Sequence, residues 1–113
     1  MPFTPRLVFV TASSQKEARK LAKGILEHHL AACVNLLPKV ESHFRWKGKV
    51  EKAKEIMLVI KSSAEQFETL AGFVRKHHSY ECPEIVAVGA HEISPAYRSW
   101  WDEVMMKPDD GKG

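Results

Sequence analysis

His43-Phe44-Arg45-Trp46-Lys47-Gly48-Lys49-Val50 is the stretch that decides the fold. Its first four residues alternate polar and apolar, as a half-exposed strand does. Lys47-Gly48-Lys49 supplies a tight turn, and Val50 starts a return strand. That return runs into Ile56-Met57-Leu58-Val59-Ile60, the most hydrophobic stretch of the chain. The middle of the protein therefore reads as two antiparallel strands joined by a short turn.

Upstream, Leu7-Val8-Phe9-Val10 is a β-branched and aromatic run, expected as a buried strand. Ser14 and Glu17 form a capping box that opens a helix, and Ala18, Leu21, Ala22 and Ile25 give it one apolar face. The helix is expected to fade near His28-His29. Leu30 to Leu37 is apolar enough for a central strand. Pro38 must then sit at a bulge, bend or edge, because it has no N–H to donate. Downstream, Ser62 or Ser63 is expected to cap a second helix, with Glu65 and Gln66 as box partners. Phe67, Leu70, Ala71 and Val74 form its apolar face. Ile85-Val86-Ala87-Val88 reads as a last strand. Ser94-Pro95 opens a third helix carrying Tyr97, Trp100, Trp101 and Val104.

The order β-α-β-β-α-β plus a C-terminal helix is the α+β, ferredoxin-like arrangement, with both long helices on one face of an antiparallel sheet. Residues 1–106 are expected to form one domain, and 107–113, polar and glycine-rich, a flexible C-terminal tail.

The chain has 113 residues, 44% of them hydrophobic and 27% charged, which suits a globular protein rather than a disordered one. A net charge of +3, spread along the sequence, falls short of a nucleic-acid footprint. The strand Ile56–Ile60 also lacks the basic and aromatic residues of an RNA-stacking platform. No membrane span or secretion signal is readable, and two cysteines provide no disulfide framework. The expectation is a cytoplasmic protein with no nucleic-acid or membrane partner.

The densest chemistry lies in His77-His78-Ser79-Tyr80-Glu81-Cys82-Pro83-Glu84, between a helical and a strand pattern. Neighbouring residues at a helix end point about 100° apart, so His77 and His78 are a poor pair for one ion. His77 suits a helix C-terminus as a cation favoured by the macrodipole. His78 is the first candidate ligand. Cys82 reads either as a thiolate donor for soft ions or as a small hydrophobe before Pro83. Glu84 reads either as a ligand or as the partner of Lys61 or of an arginine across a subunit boundary. Tyr80 is expected to sit at a boundary, with its hydroxyl on a polar partner. Cys33, in an apolar run, reads as buried and inert, and His28, His29 and His43 as solvated. A structural metal site takes about four ligands at defined spacing, so any site here is open, weak or shared between subunits.

Leu30-Ala31-Ala32-Cys33-Val34-Asn35-Leu36-Leu37-Pro38 resembles the signature strand of the CutA divalent-cation tolerance family. His78-Ser79-Tyr80-Glu81-Cys82-Pro83-Glu84-Ile85 is similar to that family's His-Pro-Tyr-Glu-x-Pro-Glu-Ile segment. Trp46-Lys47-Gly48-Lys49-Val50-Glu51, Val59-Ile60-Lys61 and the pair Tyr97 and Trp100 match further motifs in order. Ser79 stands where the family usually has proline. Val10 stands where some copper-binding members carry cysteine, and Gly89 to Ser94 match the family's glycine-containing turn more loosely. The resemblance implies a homotrimer whose long hairpins wrap their neighbours, tied to tolerance of copper and other divalent cations, with no catalysed reaction and no obligatory cofactor.

Two functions follow. The first is a non-enzymatic, metal-responsive trimer that buffers or signals divalent cations, with copper the leading candidate and His78, Cys82 and Glu84 as ligands. The alternative is a small-molecule sensor or enzyme using an intersubunit cleft, with His78 carrying a proton and Glu84 orienting it, or Cys82 as nucleophile. No oxyanion loop, phosphate-cradling glycine run or nucleophile elbow supports the alternative.

Overall fold

The hairpin is longer than the sequence pattern suggests. In the computed structural model, which describes residues 3–106, β2 (Cys33–Trp46) and β3 (Lys49–Ser63) pair along almost their whole length. Two residues, Lys47 and Gly48, make the turn, with φ of 52° and 81°. Two successive positive φ values give the hairpin turn whose twist matches its strands. Glycine takes this conformation freely, whereas Lys47 does so at some cost.

Around the hairpin lie β1 (Pro5–Ala12), α1 (Gln15–Glu27), α2 (Phe67–His77), β4 (Ile85–Gly89) and α3 (Pro95–Met106). The sheet order is β2-β3-β1-β4, every neighbouring pair antiparallel, which is the ferredoxin-like topology. Ala18, Leu21 and Ile25 of α1 and Leu70 and Val74 of α2 meet Val8, Val10, Ala12, Leu58 and Ile60 in one core. Both helices thus cover the same face. Trp101 of α3 is buried and donates its indole N–H to the Ser62 carbonyl at 3.0 Å.

Local chemistry explains most boundaries. The Ser14 hydroxyl accepts from the Glu17 N–H at 3.1 Å. Glu17 closes the box one residue early, accepting from the Ser13 N–H at 3.0 Å and hydroxyl at 2.8 Å. At the other end of α1, His29 has φ of 58°. The N–H groups of His29 and Leu30 return to the carbonyls of Leu26 and Ile25. That is a Schellman motif with histidine where glycine is usual.

Two expectations are corrected. Leu30 to Leu37 is not a central strand: Leu30 and Ala31 are core residues ahead of β2, and β2 itself is an edge strand. Pro38 sits, as anticipated, at an irregularity, with the register slipping between Leu37 and Val40 and Lys39 at φ of 64°. Ser62 does not cap α2, but the Ser63 hydroxyl, although β3 runs through it, accepts the Gln66 N–H at 3.1 Å and so caps the turn that leads into the helix. The N-cap of α2 is Gln66, with no side-chain bond. Glu65 instead accepts from the N–H and hydroxyl of Thr4 at 2.9 and 3.0 Å. The tail expected at 107–113 lies outside the described residues.

The second face of the sheet is open. Strand register aligns Leu37, Met57 and Thr11 in one row, then Val59, Phe9 and Val86, then Lys61, Leu7 and Val88. Leu37, Val86 and Val88 remain 45%, 50% and 42% exposed, although strand residues of this kind normally find a covering layer.

Candidate functional site

The loop between α2 and β4 folds under the end of β1, and its first residue is its anchor. His78 ends α2 in an extended conformation, and its side chain is fully buried. Its Nε2 lies 2.7 Å from the Thr11 carbonyl oxygen and its Nδ1 3.0 Å from the Tyr80 backbone nitrogen. A carbonyl only accepts and an amide N–H only donates, so the proton sits on Nε2 and the ring is neutral. The approach of Glu17 Oε2 to Nδ1, at 3.6 Å, is therefore a proximity and not an ion pair.

Glu17 draws the loop to α1, its Oε2 accepting the Ser79 N–H at 2.7 Å. Burial alone would raise its pKa, but the donors of Ser13 and Ser79 outweigh this and hold it at about 2. Tyr80, as anticipated, reaches a polar partner: its hydroxyl donates to Glu55 at 2.7 Å. Glu55 is buried and also accepts from the Ser42 hydroxyl. Burial, and then the adjacent Glu55 carboxylate, push the Tyr80 phenol well above its ordinary value.

Glu84 opens onto the same region. Although Glu84 is exposed, partial loss of solvent, followed by repulsion from Glu55, raises its pKa above the ordinary value. Cys82 is an exposed free thiol. Lys61, one proposed partner for Glu84, is engaged elsewhere: its ammonium donates to Asn35 Oδ1 at 2.7 Å, lies 3.8 Å from Cys33 Sγ and 5.5 Å from the Tyr97 ring centre. Cys33 is half-buried rather than buried.

Of the three expected ligands, then, Glu84 is exposed near the Glu55 carboxylate, Cys82 faces outward, and His78 has both nitrogens occupied. Among the described residues no three His, Cys, Asp or Glu side chains are grouped to hold a metal ion. Sequence reasoning missed Glu55 and the Thr11 carbonyl. Only Glu17 had a signal, its place in the capping box.

Fold and loop together define a class: a ferredoxin-like α+β protein with one helix-covered sheet face, one open face, and a polar loop anchored to the end of β1. The chain belongs to the CutA1 divalent ion tolerance protein family, whose model matches residues 6–104. It is 38% identical over 98 residues to the divalent-cation tolerance protein CutA of Archaeoglobus fulgidus, covering 87% of this chain and 95% of that protein. It is 36% identical over 104 residues to mouse protein CutA, covering 92% of this chain but only 59% of the relative's length. The solved divalent cation tolerance protein of Thermus thermophilus superposes with a TM-score of 0.85 at 37% identity, covering 88% of this chain and 96% of that one.

Proposed function

We propose that this chain acts as a non-enzymatic divalent-cation tolerance protein that assembles as a homotrimer and binds copper or a related ion at the loop 78–84. The observation that carries the reading is the exposed Glu84 carboxylate, on the same loop as the Cys82 thiol and near enough to the buried Glu55 carboxylate for the two to repel. A cation held by Glu84 relieves that repulsion. Cys82 adds a thiol on the same loop, and imidazole from His78 becomes available if its bond to Thr11 is given up. No single chain groups three ligands among its described residues, so a second subunit or solvent completes the site.

Assembly has its own support. The open sheet face offers Leu37, Val86 and Val88 as an apolar surface, and the hairpin carries exposed Phe44, Trp46 and Val50. Copies of the chain are the occupant that buries them, in keeping with the family resemblance. Two free cysteines favour a reducing, cytoplasmic setting, which cell fractionation would check.

The sensor or enzyme alternative is not favoured. Both ring nitrogens of His78 are engaged in holding the loop, Nε2 on the Thr11 carbonyl and Nδ1 on the Tyr80 N–H, which leaves neither facing a substrate.

Calorimetric titration with Cu(II), and with Cu(I) under reducing conditions, tests the proposal. Saturable binding that Glu84→Gln weakens about tenfold or more supports it. Equal binding by wild type and by Glu84→Gln, or no saturable binding of either ion, overturns it.

A further inference from the structure

A concave site lies on the flank where α1 meets α2, its wall reaching His77 at the end of α2. It is a pocket of about 250 Å³. Phe73 of α2 forms its centre. The His28 ring lies 5.1 Å from the Phe73 ring and tilted by 45°, and the His77 ring 4.4 Å away and tilted by 39°. Gly24 lets this happen: a Cβ there would stand 2.5 Å from Phe73 Cζ. A histidine at each flank, with glycine beneath, leaves an aromatic-walled recess between two helices.

Charge enters from α1. Lys20 and Lys23 line the same pocket, and neither makes an ion pair among the described residues. Glu27 is the one carboxylate on the wall, so two permanent cations face one anion. His28 Nδ1 lies 2.9 Å from the Gly24 carbonyl, which places the proton on Nδ1 and aligns the ring. Ligand pockets commonly combine apolar and aromatic walls with a few convergent polar groups, and run to about 300–1,000 Å³. This one is a little smaller, fitting a single ring with a short charged substituent.

We propose that the recess between α1 and α2 binds a small aromatic carboxylate, its ring against Phe73 and the flanking imidazoles and its carboxylate at Lys20 and Lys23. The site does not depend on the metal reading. It lies on the helical side, opposite the open sheet face, and stays accessible when that face is covered. Two lysines against one carboxylate on its wall suit an organic anion better than a cation.

Benzoate is the probe, followed by NMR of the His28 and His77 ring protons in the intact protein at pH 7.5, with acetate and benzyl alcohol at matched ionic strength. Benzoate should shift both histidines saturably, while acetate, lacking the ring, and benzyl alcohol, lacking the charge, bind at least about tenfold more weakly. The double variant Lys20→Gln/Lys23→Gln, both at exposed positions, should lose about tenfold in benzoate affinity with its fold intact. Gly24→Ala should abolish the shifts. No saturable shift with benzoate, equal response to acetate, or unchanged affinity in the lysine double variant each overturns the proposal.

Discussion

The His78 side chain and the Thr11 carbonyl, 67 residues apart in the chain, are joined by a hydrogen bond of 2.7 Å that ties the α2–β4 loop to the end of β1. A residue type suited to metal binding is thus used in this chain as a fastening. The same ring accepts the Tyr80 N–H, so one imidazole fixes both the loop's position and its first turn.

His78→Ala leaves a buried carbonyl and an amide without partners and opens a cavity where the ring was. It should cost about 2–4 kcal/mol. Urea unfolding at pH 7 measures this. A cost below about 0.5 kcal/mol would mean that the ring is not the anchor.

Glu17 makes the fold sensitive to acid. Its folded pKa, about 2, lies below the ordinary value of 4.5. Its contribution is therefore fully present above 4.5 and lost as the pH falls from there towards 2. Screening by nearby solvent reduces that contribution to about 1–2 kcal/mol. Glu17→Gln should lose this amount at pH 7 and show a shallower loss of stability between pH 4.5 and 2. Parallel unfolding curves across that window would contradict it.

Gly48 has φ of 81° with open space around its Cα, so only backbone strain opposes a side chain there. Gly48→Ala should cost about 1 kcal/mol, whereas Lys47→Asn, better suited to positive φ, should stabilise by a few tenths. Thermal unfolding of the two variants checks the opposite signs.

Val86 lies half exposed on the open sheet face, opposite Phe9. Val86→Glu places a charge in the proposed subunit interface and should shift the protein from trimer to monomer. Sedimentation velocity reads this directly. A variant that keeps the trimer's mass would remove that face from the interface.

What could be read from the sequence was local. The capping serine at Ser14, the Lys47-Gly48 turn and the stripes Ala18–Leu21–Ile25 and Leu70–Val74 each carry their signal within a few residues, and all appear in the fold. Ser63 was legible as a cap for the turn before α2, whereas Ser62 misled because capping chemistry looks the same in a residue whose hydroxyl is used elsewhere, here on the Leu30 carbonyl. Pairing with Arg6 and Pro5 carries β3 through both serines. The edge position of β2 depends on sheet order, which hydrophobicity does not encode. The site was half legible: the loop was found from its composition, and Tyr80 was given a polar partner. Glu55 as that partner, Thr11 as the acceptor for His78 and Glu17 as the acceptor for Ser79 arise from contacts 25 to 67 residues apart. No short motif announces those.

Anomalous diffraction from crystals of the assembled protein soaked in copper tests the central claim most directly. The expected result is a copper peak about 2.0–2.3 Å from the Glu84 carboxylate or Cys82 Sγ, in a cleft completed by a second subunit. Full soaking with no peak near residues 78–84, or copper bound only at unrelated surface histidines, would contradict it.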